Sequence, residues 1–156
     1  MKSLLIVFLL FFSQSTIAFE SNGIKDGMTK AEVKKVISTF YNIQYETEGN
    51  LVTELKNDDF HSYNFCKGKL VGLQDNYKPS FKTLVLLVND LTSKYGQTYH
   101  THSNVSADPK TGASIYNFSL WWAKGLDTVS LNIFNSDNSS NDSLHIYYEI
   151  KNSCYK

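Results

Sequence analysis

The sequence predicts an α+β domain in which two amphipathic helices pack on one face of an antiparallel β-sheet. Three observations carry that reading. Two stretches, residues 29–40 and 80–96, space their apolar residues at helical intervals between recognisable start and stop signals. Other runs alternate apolar and polar residues with period two. No strand–helix–strand rhythm of the kind a parallel sheet requires is present. The expected element order is α-β-β-α-β-β-β(-β), which admits two tandem α-then-β units.

In chain order, residues 1–18, "MKSLLIVFLLFFSQSTIA", have the form of a secretory signal peptide. Lys2 supplies the positive start, Leu4 to Phe12 the apolar core, and Thr16 and Ala18 the small residues of a cleavage site. The apolar run is far shorter than the ~20 residues that span a bilayer, and no later stretch is long and apolar enough to do so. The expectation is a cleaved leader, a single domain over residues 19–156, and a periplasmic or secreted location.

The first helix opens on a capping box, with Thr29 as N-cap and Glu32 three residues on. Met28 and Val33 are placed for a hydrophobic staple, and Val33, Val36, Ile37 and Phe40 form the apolar stripe. "IQYET" (43–47), "LVTEL" (51–55), "FHSYNFC" (60–66) and "KLVGLQ" (69–74) read as strands. Lys67-Gly68 is a hairpin signal, and Asn57, Asp58 and Asp59 mark a turn.

Pro79 and Ser80 open the second helix, whose stripe is Leu84, Leu87, Val88, Leu91 and Tyr95. Lys94 complements the helix dipole and Gly96 closes the helix. Its wider apolar face predicts deeper burial than the first. Strand candidates follow at 98–105, 113–122, 128–134 and 144–150, the last two joined by a polar loop at 135–143.

The stretch "GIKDGMTKAEVKKVI" resembles the start of the outer-membrane assembly accessory family (BamE/SmpA) and of domains with the β-lactamase-inhibitor-protein-like fold. Gly27, Met28, Thr29, Glu32, Val33 and Ile37 carry the resemblance. The family's Leu-Gly-x-Pro helix exit is replaced by "STFYNIQ", and its lipoprotein cysteine is absent. The resemblance implies a small exported bacterial protein with a capped helix on an antiparallel sheet, and it speaks to fold more than to function.

Lys plus Arg and Asp plus Glu number 15 each, with no basic stripe, which argues against nucleic acid or anionic membrane as a partner. The two cysteines, Cys66 and Cys154, are expected to form a disulfide in an exported chain. Closing so long a loop is worth about 4–5 kcal/mol in the chain-entropy model.

No Gly-x-Ser-x-Gly turn, HExxH helix, phosphate-binding loop or dinucleotide glycine pattern occurs, so no catalytic residue and no cofactor are assigned. His100 and His102 share one side of a candidate strand, a spacing metal sites use, but they would need a third ligand such as His145 or an Asp. Trp121 and Tyr147 alternate with the buried-phase residues Trp122, Ile146 and Tyr148, which places them on an exposed face. The functional expectation is an exported, non-catalytic protein, an envelope accessory or an inhibitor/immunity-type protein, that binds another protein through that face. A periplasmic small-ligand or metal binder is the alternative, and a hydrolase the third.

Overall fold

The alternating runs become strands, and every strand pairing is antiparallel, in a computed structural model that describes residues 19–54, 60–124, 127–137, 142–150 and 154. A short ribbon of β1 (Glu20–Ser21) and β2 (Ile24–Lys25) precedes α1 (Lys30–Ile37). Next come β3 (Asn42–Glu46), β4 (Asn50–Glu54), β5 (Phe60–Cys66) and β6 (Lys69–Tyr77). The helix α2 (Phe81–Tyr95) leads to β7 (His100–Ala107), β8 (Ser114–Lys124), β9 (Asp127–Ser136) and β10 (Ser143–Ile150).

The main sheet has eight strands in the order β3-β4-β5-β6-β10-β9-β8-β7. Each four-stranded meander runs outward from a seam between β6 and β10, where pairing extends from Leu144↔Tyr77 to Glu149↔Gly72. The β5–β6 hairpin turns at Lys67 and Gly68, both at positive φ, as a tight two-residue turn demands. The disulfide Cys66–Cys154, with a Cα–Cα distance of 5.7 Å, ties the end of β5 to the chain beyond β10.

This architecture corrects the predicted class. The protein is mostly β, with 55% of the described chain in strands, and it is not a sheet capped by a two-helix layer. The predicted order omitted the N-terminal ribbon and allotted two strands to the stretch between the helices, where all four alternating runs form strands. The physical reason is that the helices are too small to cover the sheet. α1 buries only Val33 and Ile37 and α2 only Leu91, while the core is otherwise built by strands and the ribbon residues Phe19 and Ile24. The edge strands β3 and β7 are solvent-exposed along their whole length. Among the described residues no helix is long and apolar enough to cross a membrane.

Two helix expectations also change. The capping box forms, with Thr29 and Glu32 bonded reciprocally. However, α1 stops at Ile37, because the hydroxyls of Ser38 and Thr39 turn back to the carbonyls of Lys35 and Val36. Phe40 therefore leaves the stripe and is 72% exposed. α2 is shallower than its pattern predicts: Leu84, Leu87, Val88 and Tyr95 are half-buried, and Phe81 is 80% exposed. The expected leader 1–18, the turn at 57–59 and residues 138–141 of the polar loop lie outside the described residues.

Ile37→Ala should cost about 2–5 kcal/mol of unfolding free energy in a denaturant titration. Phe40→Ala, three residues on, should stay within about 0.5 kcal/mol of the parent. Equal costs would mean that the apolar stripe continues past Ile37.

Candidate functional site

Two polar side chains sit in the buried phase of the central strands. His61 alternates with Tyr63 and Phe65 on β5, and Asp75 with Leu73 and Tyr77 on β6. They are direct cross-strand partners, 6% and 2% exposed, and His61 Nδ1 lies 2.7 Å from Asp75 Oδ1. A carboxylate only accepts, so this contact assigns the proton to His61 Nδ1. The other oxygen, Oδ2, accepts from Ser21 Oγ at 2.7 Å. Ser21 arrives on the ribbon, whose turn places Asn22 and Gly23 at positive φ. The ring of Tyr41 lies 5.0 Å from the imidazole, centroid to centroid.

With Nδ1 committed to Asp75, His61 Nε2 is buried and has no hydrogen-bond partner among the described residues. Such an unmet group costs about 1–3 kcal/mol. Burial, with the Asp75 charge adding to it, holds the phenols of Tyr63, Tyr77 and Tyr148 above their ordinary ionisation range.

His61 and Asp75 line a cavity of about 290 Å³ enclosed between the ribbon, α1 and the sheet. Ile24, Val36, Ile37 and Leu73 give it aliphatic walls. Tyr41 and Tyr63 add aromatic ones, and the exposed residues Asn22 and Phe40 mark its mouth. Ser, His and Asp meet here, but not as a nucleophile–base–acid relay. Ser21 bonds the carboxylate rather than the imidazole, so His61 cannot take its proton.

The sequence-predicted residues lie elsewhere, on the opposite face of the sheet. Trp122 is fully buried, whereas Trp121 is half-buried and packs 5.1 Å from His100, its partner across β7–β8. Tyr147 is half-buried as well. Its hydroxyl accepts from Asn64 Nδ2 at 3.2 Å and lies 3.1 Å from where a Cβ on Gly72 would stand. Gly72 thus lets the phenol lie across β6, a close approach that any larger residue would obstruct. Burial lowers the proton affinity of His145, which stacks on Phe134 on the same face.

His100 and His102 share that side of the exposed strand β7, but no group of three or more His, Cys, Asp or Glu suited to a metal occurs among the described residues. The cavity residues Ser21, His61 and Asp75 were not singled out from the sequence. The available signal was a polar residue in buried phase on each of two adjacent strands. No protein-family model, curated protein or solved structure matches this chain.

Asp75→Asn should lower the alkaline ionisation range of the buried tyrosines, because removing a nearby negative charge makes a phenolate less costly. The fall should be partial, since burial is the larger cause. Ultraviolet titration of variant against parent reads it; superimposed curves would mean that the Asp75 charge does not reach those phenols.

Proposed function

We propose that this protein is an exported, non-catalytic binding protein that holds a small ligand in the cavity between α1, the ribbon and the sheet. The support is one coincidence: a buried imidazole, tethered by Asp75 and left with an unmet nitrogen, forms part of the wall of a largely apolar cavity. Concave, mostly apolar spaces with few polar groups are where small molecules bind. The position of Ser21 on the carboxylate side of the pair supports binding over hydrolysis. The form of residues 1–18 and the disulfide support an oxidising compartment outside the cytoplasm.

A panel of single-ring aromatic probes should shift the amide resonances of Ile24, Ile37, Tyr63 and Leu73 in the oxidised protein. Val36→Phe, which fills the cavity from the half-buried side of α1, should weaken every such probe at least tenfold. No localised shift at millimolar concentration for any probe would overturn the reading.

A second reading rests on the opposite face, where a protein partner would dock. Along β5, β6, β10, β9 and β8 this face carries Ser62, Asn64, Gln74, Tyr147, Ser130, Asn132, Asn117 and Trp121, with the carboxylate residue Glu149 in the same phase of β10. Tyr, Ser and Asn with an occasional Trp is the mixture that antibody paratopes use against proteins. The absence of lysine and arginine among these residues suits neither nucleic acid nor anionic membrane. Trp121→Ala should abolish crosslinking to a single dominant partner, whereas Tyr116→Ala, on the other face, should leave it unchanged. Equal yields from both variants would remove this reading.

A further inference from the structure

We propose that His100 and His102 form half of a zinc-type metal site, which a second copy of this chain completes by pairing edge to edge along β7. The inference is independent of the cavity. The two histidines stand two residues apart on one face of β7, and both are exposed. Imidazole is the commonest metal ligand among side chains and suits zinc, copper and nickel. A closed zinc site takes four ligands, and this chain supplies two. The cross-strand row that runs inward from His102 is Ser119, Asn132 and His145. His145 is therefore three strands away, about 14 Å at the usual strand spacing, which is too far to share an ion with His102. The nearer residues of that face, Ser119, Trp121 and Asn104, offer neither carboxylate nor thiolate, and no third ligand joins the pair among the described residues.

The two edges of the sheet differ in a way that points to the occupant. β3 is defended: its register shifts between Ile43 and Tyr45, and its Glu46 is ion-paired with Lys30 and Lys34. β7 has no such device. His100–Ala107 contains no lysine, arginine, aspartate, glutamate or proline, and it pairs with β8 residue for residue without a shift. Its outer backbone groups are a template for another strand. A two-fold-symmetric antiparallel pairing presents the same patch from both copies. Centred on Thr101, it sets each His100 opposite the second copy's His102. Directly opposed Cβ atoms lie about 4.5–5.5 Å apart, so four imidazoles converge on one spot. That register overlaps only the start of β7, a contact too short by itself to reach the roughly 1,200 Å² that specific interfaces bury. The ion, rather than buried area, holds the pair together.

The test titrates zinc into the untagged, oxidised protein and follows it by calorimetry and sedimentation velocity. One ion should bind per two chains, and monomer should convert to dimer in step, reversibly on adding a chelator. His102→Ala should weaken zinc binding by about tenfold or more and leave the protein monomeric, whereas His145→Ala should change neither. Thr101→Cys should crosslink to itself under mild oxidation when zinc is present and not without it. No heat from zinc, or heat unchanged in His102→Ala, would overturn the site. One ion per chain in a monomer would overturn its completion by a second copy. A dimer that forms without zinc, or a zinc dimer that Thr101→Cys does not crosslink, would overturn metal-held pairing along β7.

Discussion

The structure depends on the seam where β6 and β10 pair. Each half of the sheet is a four-stranded meander, and the seam converts two small sheets into one. Without it, each meander would present the long backbone edge of a central strand to water, an open template for unwanted pairing. The outer edges that remain, β3 and β7, are exposed along their whole length, with Ile43, Tyr45 and Val105 among their exposed side chains. The Cys66–Cys154 link lies on the same axis, joining the strand next to the seam to the segment beyond β10. Sulfur and backbone hydrogen bonds therefore constrain the same long-range closure, the costliest in conformational entropy.

The seam also assembles the cavity. Asp75 faces Ile146 across it and His61 across the β5–β6 hairpin, so the carboxylate is surrounded by Leu73, Tyr77 and Tyr148. A lone carboxylate in that setting would be prohibitively costly, and the two hydrogen bonds from His61 and Ser21 make it tolerable. Ser21 reaches the carboxylate because the ribbon docks there, with Phe19 against Tyr148 and the Glu20 carbonyl accepting from Lys94 Nζ. The N-terminal ribbon is thus both a wall of the cavity and a clamp between α2 and the sheet. Helix coverage is partial because this ribbon, rather than a third helix face, fills the gap.

Legibility followed the range of the interactions. The Thr29–Glu32 box was legible since its partners lie three residues apart, and the Lys67-Gly68 turn since two residues set it. The phase of Trp121 against Trp122 and of Tyr147 against Ile146 was legible because a strand alternates strictly. Phe40 was misread because apolar spacing alone does not register the hydroxyls of Ser38 and Thr39, which end the helix first. α2 was misjudged because an apolar stripe reports what a helix can bury, not how much sheet lies beneath it. His61 and Asp75 were each visible as polar residues in buried phase, but 14 residues separate them, and Ser21 lies 54 residues from Asp75.

The amino-acid sequence alone determined periodicity, the helix starts, the tight turns and, with only two cysteines present, the disulfide partners. These rest on short-range hydrogen bonding, on the geometry of the pleat, or on there being no other thiol to choose. Only the tertiary structure decided that the two meanders meet through their last strands, that the helices leave most of the sheet uncovered, and that a histidine, an aspartate and a serine converge beside a cavity. Local rules leave every strand several sterically equal neighbours, and the choice among them is made by the combined burial and pairing of the whole sheet.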